Sequence, residues 1–321
     1  MKALITGATG FIGSHLTEAL LKRGYAVKCL IRKTSDTKWI ESQAVELCYG
    51  DCVDFDSLKK AVSNCDYVFH LAGLTKACRE EDYFCVNVKG TENIVKAIVA
   101  SNRNLKRFIL LSSQAASGPS YDGSPVTEET PPRPVSHYGR SKLAAEQIVL
   151  NEMEGIPFTI IRPPAVYGPR DRDFYMFFKL IKRGIFPYWG KAKYSMVYID
   201  DLINGIILSA ESEKAIGKSY FLTDGKEHTN EEIAFCIAKT FNKNLTKVRI
   251  PWAIMPFLAS LGERFSKGKS IFNRDKVREL SYNCWLCDCS KAVRELGYEP
   301  RVELQEGIKW TADWYRINRW L

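Results

Sequence analysis

The sequence predicts an α/β protein built on a doubly wound parallel sheet, with a smaller, mostly helical C-terminal lobe. Three observations predict it. Short apolar runs alternate with helix-periodic segments through the first half of the chain, the first run ends in glycines spaced three apart, and after Gly168 the rhythm gives way to helices punctuated by Pro and Gly. Strands that alternate with helices are covered on both faces, which requires parallel strands joined by crossovers.

Residues 2–6 (KALIT) form an apolar run that stops at Gly7, and residues 11–23 follow with helical spacing of Phe11, Ile12, Leu16, Ala19 and Leu20. Residues 26–31 and 45–49 read as strands, 55–62 as a helix, 67–71 as a strand and 86–100 as a helix. Residues 108–112 read as a strand, 138–153 as a helix and 158–161 as a strand. Between Ser113 and Tyr138 the chain is rich in Pro, Gly, Ser and Thr, and a connection of that length predicts a functional loop. In the later lobe, residues 230–240, 252–265 and 303–315 have helical pattern. Trp310, Trp314, Tyr315 and Trp320 are expected to pack against the main domain.

Hydrophobic residues at 45% and charged residues at 26% are ordinary for a globular chain, and 321 residues suffice for one large core and a smaller one. The 46 basic against 37 acidic side chains are scattered rather than gathered into runs interleaved with aromatics. This argues against a nucleic-acid surface and suits attraction of a small anion. Ten cysteines are too sparse and irregular for a disulfide framework, so Cys29 and Cys236 read as small core hydrophobes. Cys284-Trp-Leu-Cys287-Asp-Cys289 has no second Cys/His pair at matching spacing, and no metal is expected there. The first residues already form strand and turn, which predicts no signal peptide, and no apolar run has the length of a membrane span. The apolar helix near residues 251–261 lacks a clearly basic opposite face and reads as packing. A reducing, cytoplasmic location without stable membrane insertion is expected.

In Thr6-Gly7-Ala8-Thr9-Gly10-Phe11-Ile12-Gly13 the glycines fall where the first strand turns into the first helix. A pyrophosphate needs backbone N–H groups and a helix N-terminus with no Cβ in the way, so Gly7, Thr9, Gly10, Phe11, Ile12 and Gly13 are expected to bind a dinucleotide in a Rossmann arrangement. The second strand ends Leu30-Ile31-Arg32-Lys33, with no acid until Asp36. Cations there favour the 2′-phosphate of NADP(H), NAD(H) being the alternative. Asp51, with Cys52 beside it, is placed near the adenine, and Leu71, Ala72 and Gly73 beneath the ribose. His70 is expected to be a hydrogen-bonded core residue.

Tyr138 and Lys142 stand four residues apart and would share a helix face, giving a proton donor and a charge able to tune it. A chain with 15 tyrosines gives such a spacing by chance, and Tyr175 with Lys179 is a second instance, read as a buried helix with a lysine at its edge. Position decides between them. Sites in open parallel sheets lie outside the carboxyl ends of the strands, where Ser112 and Ser113 close the fifth strand.

The assembled pattern resembles the extended short-chain dehydrogenases/reductases, the family that also holds the NAD-dependent sugar epimerases and dehydratases. TGATGFIG, Gly50-Asp51, FHLAG (69–73), Asn87 in VNVKGTENI, LLSS (110–113), YGRSK (138–142), RPPAVYGPRD (162–171) and VYIDDL (197–202) carry the resemblance in order. It implies Tyr138 as proton donor or acceptor, Ser113 as the hydroxyl on the substrate oxygen, and Lys142 as charge partner and ribose ligand. It further implies Asn87 as support for the site wall, backbone at Pro163 to Val166 around the carboxamide, and a homodimer. The expected division is a dinucleotide-binding domain of residues 1–167, to which 196–224 return, and a substrate lobe of 168–195 and 225–321.

Departures from the sugar-nucleotide pattern point to a branch. Pro163-Pro164-Ala165 replaces the segment where those enzymes carry an asparagine, residues 193–198 contain no arginine, and Gln114 and Ala115 follow the serine where dehydratases place acids. The chain is more similar to the 3β-hydroxysteroid dehydrogenase and dihydroflavonol reductase branch. This implies an NADP(H)-dependent oxidoreductase acting on a secondary alcohol or ketone of an apolar small molecule. A sugar-nucleotide epimerase or dehydratase with tightly bound NAD is the alternative, and a dinucleotide-binding regulator without turnover the third reading. Tyr175, Phe177, Phe178, Phe186, Tyr188 and Trp189 are candidate pocket walls, and Asp200 and Asp201 are expected to cap a helix.

Overall fold

The computed structural model describes residues 1–77, 79–266 and 273–321. Seven parallel strands form its main sheet: β1 (Lys2–Thr6), β2 (Ala26–Ile31), β3 (Val45–Tyr49), β4 (Tyr67–His70), β5 (Arg107–Leu111), β6 (Phe158–Arg162) and an edge strand, Lys218–Phe221. The edge strand pairs with β6, and the order runs from it through β6, β5, β4 and β1 to β2 and β3. The chain therefore starts in the middle of the sheet, builds outward to β3, and returns beside β1 to build the other way. That reversal opens a crevice between the carboxyl ends of β1 and β4.

Pleat alternation sorts the strand residues into two cores. Ile5, Phe69, Ile109 and Ile161 face one cluster with Leu16 and Leu20 of helix Phe11–Lys22 and Ile206 of helix Ile199–Glu211. Leu4, Val68, Phe108 and Ile160 face the other, with Leu58, Ile94 and Val149 from helices Phe55–Val62, Gly90–Ser101 and His137–Glu152. The first cluster runs on without a break into Ile237 and Tyr315 of the later helices Asn230–Thr240 and Leu304–Ile317, so the C-terminal segments are packed onto the sheet rather than tethered to it. Trp314 and Trp320 meet Trp39 and Tyr175 there.

Two local expectations change, and the connection after Ser113 gains a structure. Residues 86–100 do not form a plain α-helix: Phe84–Lys89 is a π-helical turn that leads into Gly90–Ser101, a widening that 3.6-residue periodicity does not reveal. Asp200 and Asp201 do not cap the Ile199–Glu211 helix, whose N-cap Tyr198 makes no side-chain bond to it. Asp201 instead accepts the amides of Arg301 and Val302, both at 3.0 Å, and pins a distant loop. The loop after Ser113 is packed at its start and middle and exposed at residues 121–125 and 131–133: Gln114–Ser117 is a short buried helix, and the Glu128 carboxylate accepts the Phe221 amide of the edge strand at 2.8 Å.

Beneath the sheet end lies a buried ion pair. Glu146, fully buried on helix His137–Glu152, accepts two bonds from Arg162 at the end of β6, at 3.0 and 2.6 Å, and also accepts the Ser112 hydroxyl. A buried carboxylate left without its partner is strongly destabilising, whereas apolar replacement of both members is tolerated. Arg162→Leu is therefore expected to lower unfolding free energy by about 3–5 kcal/mol, and Arg162→Leu with Glu146→Leu to recover much of it, both read from urea unfolding midpoints.

Candidate active site

A cavity of about 820 Å³ opens at the carboxyl ends of the central strands. Its floor is the glycine turn. Gly7 holds φ at 73°, and a Cβ there would stand 2.8 Å from the Ala72 amide nitrogen; a Cβ on Gly13 would stand 2.1 Å from the Gly7 carbonyl oxygen. Strand, turn and helix can close on one another only without those side chains. Gly10 caps helix Phe11–Lys22 with no side-chain bond, and no acidic residue occupies the first turn, so the helix start offers its amides and positive end to an anion. Arg170 lines the same cavity. Its guanidinium pairs with Glu18 and lies 4.8 Å over the Trp39 ring, while Nε and Nη1 are buried with no partner. Open helix amides and orphaned guanidinium nitrogens on one wall fit the pyrophosphate of a dinucleotide.

Tyr138 is the second residue of helix His137–Glu152, and three contacts fix that helix start. The Ser136 hydroxyl accepts the Gly139 amide at 2.9 Å. From helix Arg274–Leu280 of the C-terminal lobe, Asp275 accepts the amides of His137 at 2.7 Å and Tyr138 at 3.0 Å. A Cβ on Gly139 would stand 2.3 Å from the Ala115 carbonyl oxygen, so the glycine after Tyr138 lets the helix press against the backbone that follows Ser113. Tyr138 and Ser113 are thereby brought within hydrogen-bonding reach.

Burial pushes the Tyr138 phenol up to about 12, and the Ser113 hydrogen bond works against that rise. Lys142, one turn further, donates to the Leu111 carbonyl at 2.6 Å. Burial pushes its ammonium down to about 8, with Glu146 opposing. A cation that acts on Tyr138 is Lys276, which lines the cavity from the C-terminal lobe.

Gly7, Thr9, Gly10, Phe11, Ile12, Gly13, Leu71, Gly73, Ser113, Tyr138, Lys142, Pro163 and Val166 all line this one cavity. Ala72 and Asn87 stand behind it. The Ala72 amide is held by Thr6 Oγ1 at 3.1 Å; Asn87 accepts the Leu74 amide at 2.7 Å and donates to the Leu74 carbonyl and to Ser141. His70 lies in the core between Thr6 and Thr91, where burial pushes its imidazole down to about 3. Four further expected contacts are also not in the lining. Asp51 turns back to accept the Val53 amide, and Cys52 is packed under the sheet, where burial pushes its thiol up to about 12. Arg32 and Lys33 are exposed past the end of β2, where the chain turns so that Asp36 and Trp39 face the cavity.

The opposite arm of the cavity is apolar. Phe174, Phe177, Phe186, Trp189, Tyr194, Met196 and Leu280 wall it, with Lys76 paired to Asp173 at its side. Of the other aromatic candidates, Phe178 is fully buried in the core, and Tyr175 donates to the Trp320 carbonyl. Tyr175 and Lys179 thus lie outside the cavity that holds Tyr138 and Lys142. Trp39, Asp275 and Lys276 escaped sequence reasoning because each reaches the site from a segment with no local signature, and Arg170 escaped although it lies in the RPPAVYGPRD motif, whose spacing does not show that its side chain faces the cavity.

The model of the NAD dependent epimerase/dehydratase family matches residues 3–222. A farnesyl-dihydroquinoline-oxide ketoreductase of Stigmatella aurantiaca is 28% identical over 96% of this chain and 95% of its own. A 3β-hydroxysteroid dehydrogenase/Δ5→4-isomerase of Mycobacterium tuberculosis is 28% identical over 96% and 88%. Among solved structures, the UDP-glucuronic acid 4-epimerase of Bacillus cereus, in complex with UDP-glucuronic acid and NAD, superposes with a TM-score of 0.80 at 28% identity, covering 99% of this chain and 100% of that one. The glycine turn, the Ser113, Tyr138 and Lys142 cluster and these likenesses agree: the chain belongs to the NAD-dependent epimerase/dehydratase family of extended short-chain dehydrogenases/reductases and is an NAD(P)-dependent oxidoreductase-type enzyme.

Proposed function

We propose that the protein interconverts a secondary alcohol and a ketone on an apolar small molecule, with NADP(H) as its redox partner. The observation that carries this reading is the meeting of the Tyr138 and Ser113 hydroxyls in one cavity lined both by the glycine turn and by a set of aromatic side chains. The names of the ketoreductase and steroid dehydrogenase relatives support an apolar substrate. Residues 1–167 with 196–224 would form most of the nucleotide half of the site, and 168–195 with 225–321 most of the substrate half, with Arg170 and Met196 each lining the other half.

The dinucleotide, when bound, supplies or accepts hydride. The chain itself handles the proton. With its phenol pushed up to about 12, Tyr138 is protonated near neutral pH and ready to donate to a substrate oxygen that gains negative charge. Ser113 donates a second hydrogen bond to that oxygen and stabilises the same charge. Lys142 would present its ammonium to the ribose hydroxyls of a bound dinucleotide. The aromatic arm excludes water and holds the carbon skeleton. A protonated donor favours carbonyl reduction; oxidation requires the phenolate.

The 2′-phosphate would sit at the rim beside Arg32 and Lys33, which pair with no carboxylate among the described residues. Asp36 on the cavity side is the group that would instead take the ribose hydroxyls of NAD(H).

Tyr138→Phe should lower kcat for NADPH-dependent ketone reduction by about 10²–10⁴-fold with the cofactor dissociation constant little changed; retained turnover would reject the mechanism. Arg32→Ala should weaken NADPH about tenfold, the loss of one charge-assisted contact, and leave NADH unchanged in calorimetric titration. Equal wild-type affinity for the two dinucleotides would instead favour Asp36 on the ribose. Lys142 titrates near 8 in the folded chain against an ordinary 10.5, so between those values the unfolded chain holds more protons. Stability of the cofactor-free protein should then gain from rising pH across that window, and Lys142→Met should flatten the gain in urea midpoints measured at successive pH values.

A further inference from the structure

An exposed apolar surface lies outside the active site, on the short helical turn Trp252–Ile254 and the start of the helix Met255–Ser266 that continues it. Met255 and Ala259 are fully buried and point inward, against Val277. Pro251, Ala253 and Pro256 are exposed, as are Trp252 at 40%, Ile254 at 44%, Phe257 at 62% and Leu258 at 38%. A surface helix ordinarily turns a polar face to water, yet over residues 251–259 both the inward and the outward side chains are apolar. Contiguous exposure of this kind marks an interaction site.

We propose that this face docks the protein on an anionic lipid bilayer, with the apolar arm of the cavity opening close to the membrane surface. Charge supports that occupant. From residue 233 to residue 262 the chain contains no Asp or Glu, but it contains Lys239, Lys243, Lys247 and Arg249. Arg249 is exposed at the end of the strand Thr246–Arg249, next to Ile250 and Pro251, and pairs with no carboxylate among the described residues. Exposed Val248 beside it, at 44%, extends the apolar surface. On the far side Arg274, its side chain 69% exposed, donates to the Ser260 hydroxyl at 3.1 Å. Two ion pairs, Glu231 with Lys247 and Glu263 with Arg274, cancel in charge, which leaves Lys239, Lys243 and Arg249 as the cations without a carboxylate partner among the described residues. An apolar centre with a cationic rim matches acyl chains beneath anionic headgroups, and the Trp252 indole suits the boundary between them.

A second copy of this chain is a poorer occupant, because a two-fold contact centred on this face would bring Arg249 of one copy towards Arg274 of the other, like charge against like. No helix of the described residues is long and apolar enough to cross a membrane, so the helix would lie on the surface. The docking face also lies near the site: Trp189 and Leu280, against which the inner face of the helix packs, line the cavity, so the helix itself and these side chains stand between bilayer and cavity. The advantage of this placement, short transfer of an apolar substrate from lipid to Tyr138, rests on the proposed function; the docking itself does not.

The test is co-flotation of the full chain with phosphatidylcholine vesicles, with and without about 30 mol % phosphatidylglycerol. Binding to the anionic vesicles should exceed binding to the neutral ones by at least about tenfold and fall as salt is raised. Trp252→Ser with Phe257→Asp should abolish binding while leaving the dinucleotide dissociation constant and thermal midpoint unchanged. Should that variant fold poorly, Arg249→Glu with Arg274→Glu, two surface changes, should remove the preference for anionic lipid. Failure of the wild type to float with either vesicle would overturn the proposal, as would undiminished binding of both variants. So would a self-associated wild type that ignores vesicles and becomes monomeric on Phe257→Asp, which would identify a protein interface. Flotation needs no ketone, so a failed activity panel leaves its result intact, and failed flotation leaves the oxidoreductase reading intact.

Discussion

The amides of His137 and Tyr138 end on one carboxylate, Asp275, and most of the site depends on that clamp. A helix N-terminus carries unsatisfied donors, and here they are satisfied by a residue 137 positions further along the chain rather than by local capping alone. Ser136 strengthens the join by donating to Glu279 of the same lobe helix at 2.9 Å. Because the clamp comes from the wall of the substrate arm, Tyr138 is oriented by the structure that would hold its substrate. Gly139 completes the arrangement from the other side, where only a missing Cβ allows the helix to approach the Ala115 carbonyl. The phenol and the Ser113 hydroxyl are thus positioned by backbone contacts, which are stiffer than side-chain rotamers.

One turn deeper, Lys142 shares the helix with Glu146, and the two divide the electrostatic work. Glu146 is committed to Arg162 and Ser112, so its charge is largely spent on a structural pair at the ends of β5 and β6. What remains opposes the desolvation of Lys142, whose ammonium takes the Leu111 carbonyl as a neutral partner. A buried cation with so little compensation is readily relieved by hydroxyl acceptors, which gives a physical reason for a ribose to be welcome there. Lys276 enters from a different lobe and adds positive potential at Tyr138. The tuning of the phenol is therefore shared between Ser113 and a residue outside the Tyr-Lys motif.

Much of the chain was legible before folding was considered. β1, β2 and β3 and the helices Phe55–Val62 and Asn230–Thr240 fall where apolar spacing puts them, because a two-sided sheet imposes strong patterns on short segments. The π-helical turn at Phe84–Lys89 escaped because one extra residue per turn leaves no compositional mark. Asp201 was misread as a cap because an acid at a helix start is the usual sign of one, and its true partners, Arg301 and Val302, are 100 positions away. Arg32 and Asp36 show the same limit. Their order along the chain was plain, but which of them faces the cavity depends on the turn that joins them.

By itself, the amino-acid order determined the alternation of strands and helices, the glycine turn, and the spacing of Tyr138 and Lys142, since these follow from steric and periodic rules acting over a few residues. The tertiary structure alone decided that Tyr138 rather than Tyr175 shares a cavity with the glycine turn, that Arg170, Asp275 and Lys276 belong to the site, and that the helix after Pro251 keeps an apolar face outward. Each of these turns on which distant segments exclude water from one another, and no local pattern records that.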